Sequence, residues 1–188
     1  WTEVNALNQG KYGMSGFGTQ TAAVSGGGFT TTAVSSTETW NGSSWTEVNN
    51  MNTARWYLTG AGTQTSGIAA VGATPSQVDN VETWNGTSWT ETTEANTARD
   101  QMCDGAGSSA DNALIYGGAT PSASALTEQW DGTSWTEVAD LATARKGIGS
   151  CGASTKSAVA ASGATPTRIT NTEDWNEADF LIKTVTTS

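Results

Sequence analysis

The stretch Trp84-Asn85-Gly86-Thr87-Ser88-Trp89-Thr90-Glu91 is written three times in this chain, nearly letter for letter. The other copies are Trp40-Asn41-Gly42-Ser43-Ser44-Trp45-Thr46-Glu47 and Trp130-Asp131-Gly132-Thr133-Ser134-Trp135-Thr136-Glu137. A clipped copy, Trp1-Thr2-Glu3-Val4, opens the chain, and a worn one, Trp175-Asn176-Glu177-Ala178-Asp179-Phe180, lies near its end. The second Trp falls at 1, 45, 89 and 135, in steps of 44, 44 and 46 residues, with Phe180 a further 45 on. A fixed period of roughly 40–50 residues marks a propeller or an array of small sheets, because one such unit cannot bury its own apolar face.

Each repeat divides in the same way. In the second, Thr53-Ala54-Arg55 leads into the small-residue segment Leu58-Thr59-Gly60-Ala61-Gly62, and then the apolar run Ile68-Ala69-Ala70-Val71-Gly72 follows. Val81-Glu82-Thr83-Trp84 alternates as a third strand, and Asn85-Gly86 turns the chain into Ser88-Trp89-Thr90-Glu91. Asn-Gly is a hairpin signal because both residues tolerate positive φ. Four short strands per unit make a propeller blade. The expected fold is therefore all-β, a propeller of four-stranded antiparallel blades in one domain. Its repeats run over 5–48, 49–92, 93–138 and 139–188. Pro occurs only at 75, 121 and 166, each time after the second strand, where it removes no ladder hydrogen bond.

Tyr116-Gly117-Gly118 ends a second strand in a double glycine, an aromatic follows on the third strand and a Trp on the fourth, and an Arg opens the unit. In these features the chain resembles the kelch repeat family over nearly its whole length. It departs from that pattern in placing Trp84 and its equivalents where kelch repeats usually carry Tyr, and in Val71-Gly72 and Ser162-Gly163 at the double glycine. The Thr/Asn/Gly-rich hairpin is also similar in style to repeats of virion fibre proteins of tailed phages. That second resemblance implies an extracellular or virion-associated setting and recognition of a host surface.

The chain begins with a fourth-strand copy and ends with a candidate fourth strand, Phe180-Leu181-Ile182-Lys183. Lacking an initiating Met and opening in mid-repeat, it reads as a piece of something longer. We expect residues 1–4 to pair with Glu173-Asp174-Trp175 and close one ring, hiding an unpaired edge. The alternative is a larger ring completed by further sequence or by another subunit.

The net charge of −10, from 18 acidic and 8 basic residues, argues against nucleic acid or an anionic membrane as partner. No apolar run reaches the 18 or so residues of a membrane span. His is absent, which removes the usual general base and the commonest metal ligand. No nucleophile–base pair, metal-ligand cluster or phosphate loop stands out, so neither an enzyme nor a cofactor is expected. Cys103 and Cys151 fall at offsets that put them on opposite strand faces, so small buried thiols are expected rather than a disulfide.

The paired Trp residues (Trp40 and Trp45, Trp84 and Trp89, Trp130 and Trp135, with Trp175) suit either stacking on sugar rings or packing between blades. Their presence in every unit favours packing, the need that all units share. Glu38, Glu82, Glu128 and Glu173 sit two residues before the third-strand Trp, and Arg55, Arg99 and Arg145 recur at the unit starts. A carboxylate site for calcium or acid–base work is one reading, and a structural Arg–Glu pair is the favoured one. Asn41 and Asn85 match the glycosylation acceptor pattern, but Asp131 in the third copy keeps the turn and loses the acceptor.

Positions that differ among repeats are better candidates for recognition, since packing does not dictate them. Just after the recurring Arg the units carry Tyr12, Trp56, Asp100 and Lys146, expected on one rim of the ring, with Tyr12 and Trp56 as an exposed aromatic pair. Loops after the second strand vary as well, and they add Gln77, Asp79 and Arg168. The expected function is a binding or interaction module, with a protein or a surface glycan as partner, as an oligomer or as part of a larger assembly. A purely architectural repeat domain is the alternative, and a glycan-active enzyme a remote one.

Overall fold

The computed structural model describes residues 1–102 and 105–177. Blade 1 holds β1 (Ser15–Thr19), β2 (Ala22–Gly26), β3 (Thr37–Trp40) and β4 (Trp45–Val48). Blade 2 holds β5 (Thr59–Thr63), β6 (Ser66–Ala70), β7 (Val81–Trp84) and β8 (Trp89–Glu91). Blade 3 holds β9 (Ala106–Ser109), β10 (Asn112–Tyr116), β11 (Thr127–Trp130) and β12 (Trp135–Glu137). In blade 4, β13 (Gly149–Ser154), β14 (Ser157–Ala161) and β17 (Thr172–Asn176) form three strands. A two-stranded ribbon, β15 (Ala164–Thr165) and β16 (Thr167–Arg168), lies in the loop between β14 and β17. All pairings are antiparallel, and each sheet runs in chain order from its inner strand outward.

The four sheets form the expected propeller. The inner strands β1, β5, β9 and β13 follow one another side by side and line a central opening of about 530 Å³. Small residues make that approach possible. A methyl group at Gly67 would lie 2.2 Å from the Phe17 ring of blade 1, and one at Gly152 would lie 2.5 Å from Ala106 of blade 3.

Tryptophan fills the wedge where blades diverge. Trp84 and Trp89 are cross-strand partners, their rings 5.3 Å apart, and both pack with Phe17 and Val24 of the preceding blade. Trp130 and Trp135 repeat this at 5.2 Å against Ile68 and Ala70. The third-strand indoles are anchored to the first turn of their own blade. Trp40, Trp84, Trp130 and Trp175 donate to the carbonyls of Gln20, Gln64, Ala110 and Thr155 at 2.7–2.9 Å.

The hairpins owe their shape to a side chain rather than to two positive φ angles. Only the glycines turn left-handed, with φ of 90°, 91° and 94° at Gly42, Gly86 and Gly132. Asn41 Oδ1 accepts from the N–H groups of Ser43 and Ser44, both at 2.9 Å, and Asn85 and Asp131 do the same in their blades. These donors, the Ser134 N–H first, hold the exposed Asp131 carboxyl down at about 2. The double glycine shows the same economy. Its first position keeps a left-handed backbone even where glycine is lost, with φ of 55° at Val71 and 61° at Ser162.

Arginine and glutamate pair inside blades 2, 3 and 4. Arg55 Nη2 meets Glu82 Oε1 at 3.0 Å and Arg99 Nη2 meets Glu128 Oε1 at 2.7 Å, with all four side chains fully buried. Arg145 pairs with Glu173 in blade 4. The second guanidinium nitrogen caps loop carbonyls, Gly117 O at 3.1 Å and Leu126 O at 2.6 Å in the case of Arg99. Blade 1 has Lys11 instead, whose Nζ reaches Ser36 O at 2.8 Å. Burial pushes the Lys11 ammonium below its usual range, with Glu38 and then Glu47 opposing.

Two expectations are corrected. Residues 1–4 form no strand, Trp1 is fully exposed, and β17 pairs with β14 alone among the described residues, so the ring-closing strand is not formed. Instead, residues 5–9 pack on blade 1 as the other inter-blade linkers do on theirs: Asn8 donates to Glu38 as Asn52 does to Glu82. Cys151 is a free thiol and exposed rather than buried, because no blade covers its face of β13. Cys103 and Phe180-Leu181-Ile182-Lys183 lie outside the described residues.

Candidate functional site

The four rim stations expected from the sequence occupy equivalent places. In each blade the rim residue exchanges two backbone hydrogen bonds with the residue just after the double glycine: Tyr12 with Phe29, Trp56 with Ala73, Asp100 with Ala119 and Lys146 with Ala164, all at 2.8–3.2 Å. The backbone is thus fixed while the side chain is free to differ, which suits recognition on a rigid scaffold.

On blades 1 and 2 the rim carries an aromatic cluster. Tyr12 and Trp56 meet edge to face at 6.2 Å and 88°. Phe29 lies 4.9 Å from Trp56, and Tyr57 stacks on Trp56 at 4.3 Å and 32°. Tyr12 is exposed and the other three are half-buried. A groove of about 410 Å³ runs beside the cluster, walled by Phe29, Trp56 and Pro75 with Thr31, Thr32 and Thr74 on its margin.

Phe29 and Tyr57 were not among the residues singled out from sequence. Tyr57 has φ 52°, the left-handed region that costs an L-residue roughly 1–2 kcal/mol. The same station is Gly13 in blade 1, Gln101 in blade 3 and Gly147 in blade 4, with φ of 63°, 53° and 61°, so the left-handed turn is common to all four blades. Setting the four units side by side would have flagged an aromatic at a station that is glycine in two of the other three. The Tyr57 ring rests on Gly13, where a methyl group would lie 2.8 Å from it.

No family model matches this chain, and no curated protein matches it either.

The remaining candidates form two further groups. Gln77 Nε2 donates to Asp100 Oδ1 at 3.2 Å, joining the loop of blade 2 to the rim of blade 3, and Asp100 is buried there. Lys146, Ser162 and Arg168 of blade 4 line one open depression with Gln101 of blade 3. Asp79 joins none of these contacts, and its carbonyl accepts from the Ala95 N–H in the interior of the loop. One end of the propeller therefore presents aromatic faces, then an amide–carboxylate pair, then two cations.

The repeated residues sit elsewhere. Trp84, Trp89, Trp130 and Trp135 are buried between blades, and the Arg55–Glu82 and Arg99–Glu128 pairs are sealed within theirs, while Glu173 of the third pair is partly exposed. A cavity of about 60 Å³ between blades 3 and 4, lined by Leu114, Leu141 and Trp175, lies where blades 2 and 3 place their fourth-strand Trp. Among the described residues no three Asp, Glu or Cys side chains come together as a metal site.

Proposed function

We propose that the chain is a non-enzymatic binding module that recognises a surface glycan through the rim of blades 1 and 2. One observation carries this reading: Tyr12, Trp56, Tyr57 and Phe29 are gathered at an open edge, with neighbouring rings 4.3–6.3 Å apart. Aromatic rings gathered at rim stations where blades 3 and 4 carry Asp100 and Lys146 point to use, since packing in the other blades does without them. Flat aromatic faces with threonine hydroxyls beside them offer a sugar ring both its apolar side and hydrogen-bond partners. The kelch-like pattern and the fibre-like hairpins favour an extracellular or virion surface as the setting. The acidic surface disfavours nucleic acid.

A glycan array with the intact chain, Trp56→Ala and Tyr57→Gly tests the reading. Trp56→Ala is expected to lower affinity at least about tenfold, roughly 1.4 kcal/mol. Tyr57→Gly is expected to weaken binding while leaving stability within about 1 kcal/mol, since relief of the left-handed φ offsets the lost ring contact. An array without signal for the intact chain, or signals unmoved by both changes, would overturn it. The second reading is an architectural element of a larger assembly, which the uncovered faces of the first and last blades favour.

A further inference from the structure

The molecule is built on one interface used three times. Each blade turns a forward face to its successor, made by Phe17, Val24 and Thr37 in blade 1, Ala61, Ile68 and Val81 in blade 2, and Ala106, Leu114 and Thr127 in blade 3. All nine residues are buried. At the same stations of blade 4 stand Cys151, Val159 and Thr172, all exposed. Val159 is 36% exposed, against 1% for Val24, 1% for Ile68 and 0% for Leu114.

The backward face tells the same story at the other end. Leu58, Met102 and Ile148, which lead into blades 2, 3 and 4, are 3%, 8% and 1% exposed, whereas Met14 of blade 1 is 37% exposed. Trp45 is half-buried where Trp89 and Trp135 are buried, and with Leu7, Met14 and Ala23 it borders an open groove of about 430 Å³. Nothing comparable to the packing of β1 on β5, β5 on β9 or β9 on β13 joins β13 back to β1 among the described residues. The structure thus ends, in both directions, in one half of the interface that holds it together.

We propose that a second copy of this chain covers both faces. Blade 4 of each copy docks on blade 1 of the other, head to tail, to close a two-chain ring. Two sets of four blades make eight, within the size range of propellers, and a rotation that closes gives a ring rather than a filament. The two halves match in bulk. Inside the chain Phe17 sits over Gly67, large over absent, while Ala106 of blade 3 faces blade 4 where Ala158 stands, small over small. At the new seam Cys151 would face Ala23, again small over small, leaving Val159 to pack towards Trp45 and Met14.

Light scattering coupled to size-exclusion chromatography of the full chain tests this directly. The expected mass is about twice the 19.3 kDa of one chain. Val159→Lys and Met14→Glu are each expected to give monomers. Both sites are more than a third exposed, so the fold tolerates the changes, which circular dichroism checks. Mixing the two variants in equal amounts is expected to restore the dimer, because the mixed ring has one native seam and one Lys–Glu seam. A monomeric wild-type chain at every accessible concentration would overturn the proposal and leave the two faces to be covered by this chain's own residues or by further blades on a longer polypeptide. Dimers that survive Val159→Lys, or variants that stay monomeric when mixed, would overturn it too.

Discussion

Arg99→Ala is expected to cost about 3–5 kcal/mol of folding stability, the range for removing one partner of a buried ion pair. The guanidinium is fully buried and binds Glu128 and the carbonyls of Gly117 and Leu126. Its loss strands a carboxylate that keeps the Asn96 N–H at 2.8 Å and leaves both carbonyls short of a donor. Domains of this kind are held by roughly 5–15 kcal/mol in total, so the variant sits near the edge of unfolding. Burial pushes Arg99 below its usual range, with Glu128 as the main opposing influence, and the guanidinium remains the charged partner of the pair. The converse change lies in blade 1, where Lys11 reaches Ser36 but forms no ion pair with Glu38. Lys11→Arg is expected to add about 1 kcal/mol, the worth of one extra buried hydrogen bond. Denaturant titration measures both. An unchanged midpoint for Arg99→Ala would mean that the pair is incidental to the fold.

Trp84→Ala should be as costly, about 3–5 kcal/mol, as for other large buried aromatics cut to alanine. Its indole is wholly buried, lies beside Trp89, and is packed with Phe17 and Val24 across a blade boundary. The change also leaves the Gln64 carbonyl without its donor. Trp1→Ala is the control: that side chain is fully exposed, and its loss should stay within about 0.5 kcal/mol. Equal effects for the two would remove tryptophan from the role of inter-blade wedge.

Much of the fold is legible in the sequence because every blade has the same physical need. A unit that must bury both faces repeats the residues that do so, and Trp84, Glu82 and Arg55 recur for that reason. Val81–Trp84 was readable to the residue as a strand, since its alternation is bounded by a turn. Less legible was anything that depends on which blade neighbours which. Cys151 has a partner-facing station and the character of a core residue, and only the missing neighbour exposes it. The rim stations Tyr12, Trp56, Asp100 and Lys146 could be found by asking where the repeats disagree. Phe29 and Tyr57 escaped that question because one follows a glycine triplet in a loop and the other takes a backbone conformation that single-residue patterns do not announce. The Asn-Gly hairpin was found correctly for a partly different reason, since the Asn side chain, rather than its φ, shapes the turn.

The central claim is that four propeller blades are held side by side by indoles buried between them. Solvent exchange of the indole N–H protons, followed by NMR in the full chain, tests it most directly. The N–H groups of Trp84 and Trp130, bonded to Gln64 and Ala110, should exchange orders of magnitude more slowly than that of Trp1. Exchange at Trp84 and Trp130 as fast as at Trp1 would contradict the architecture itself.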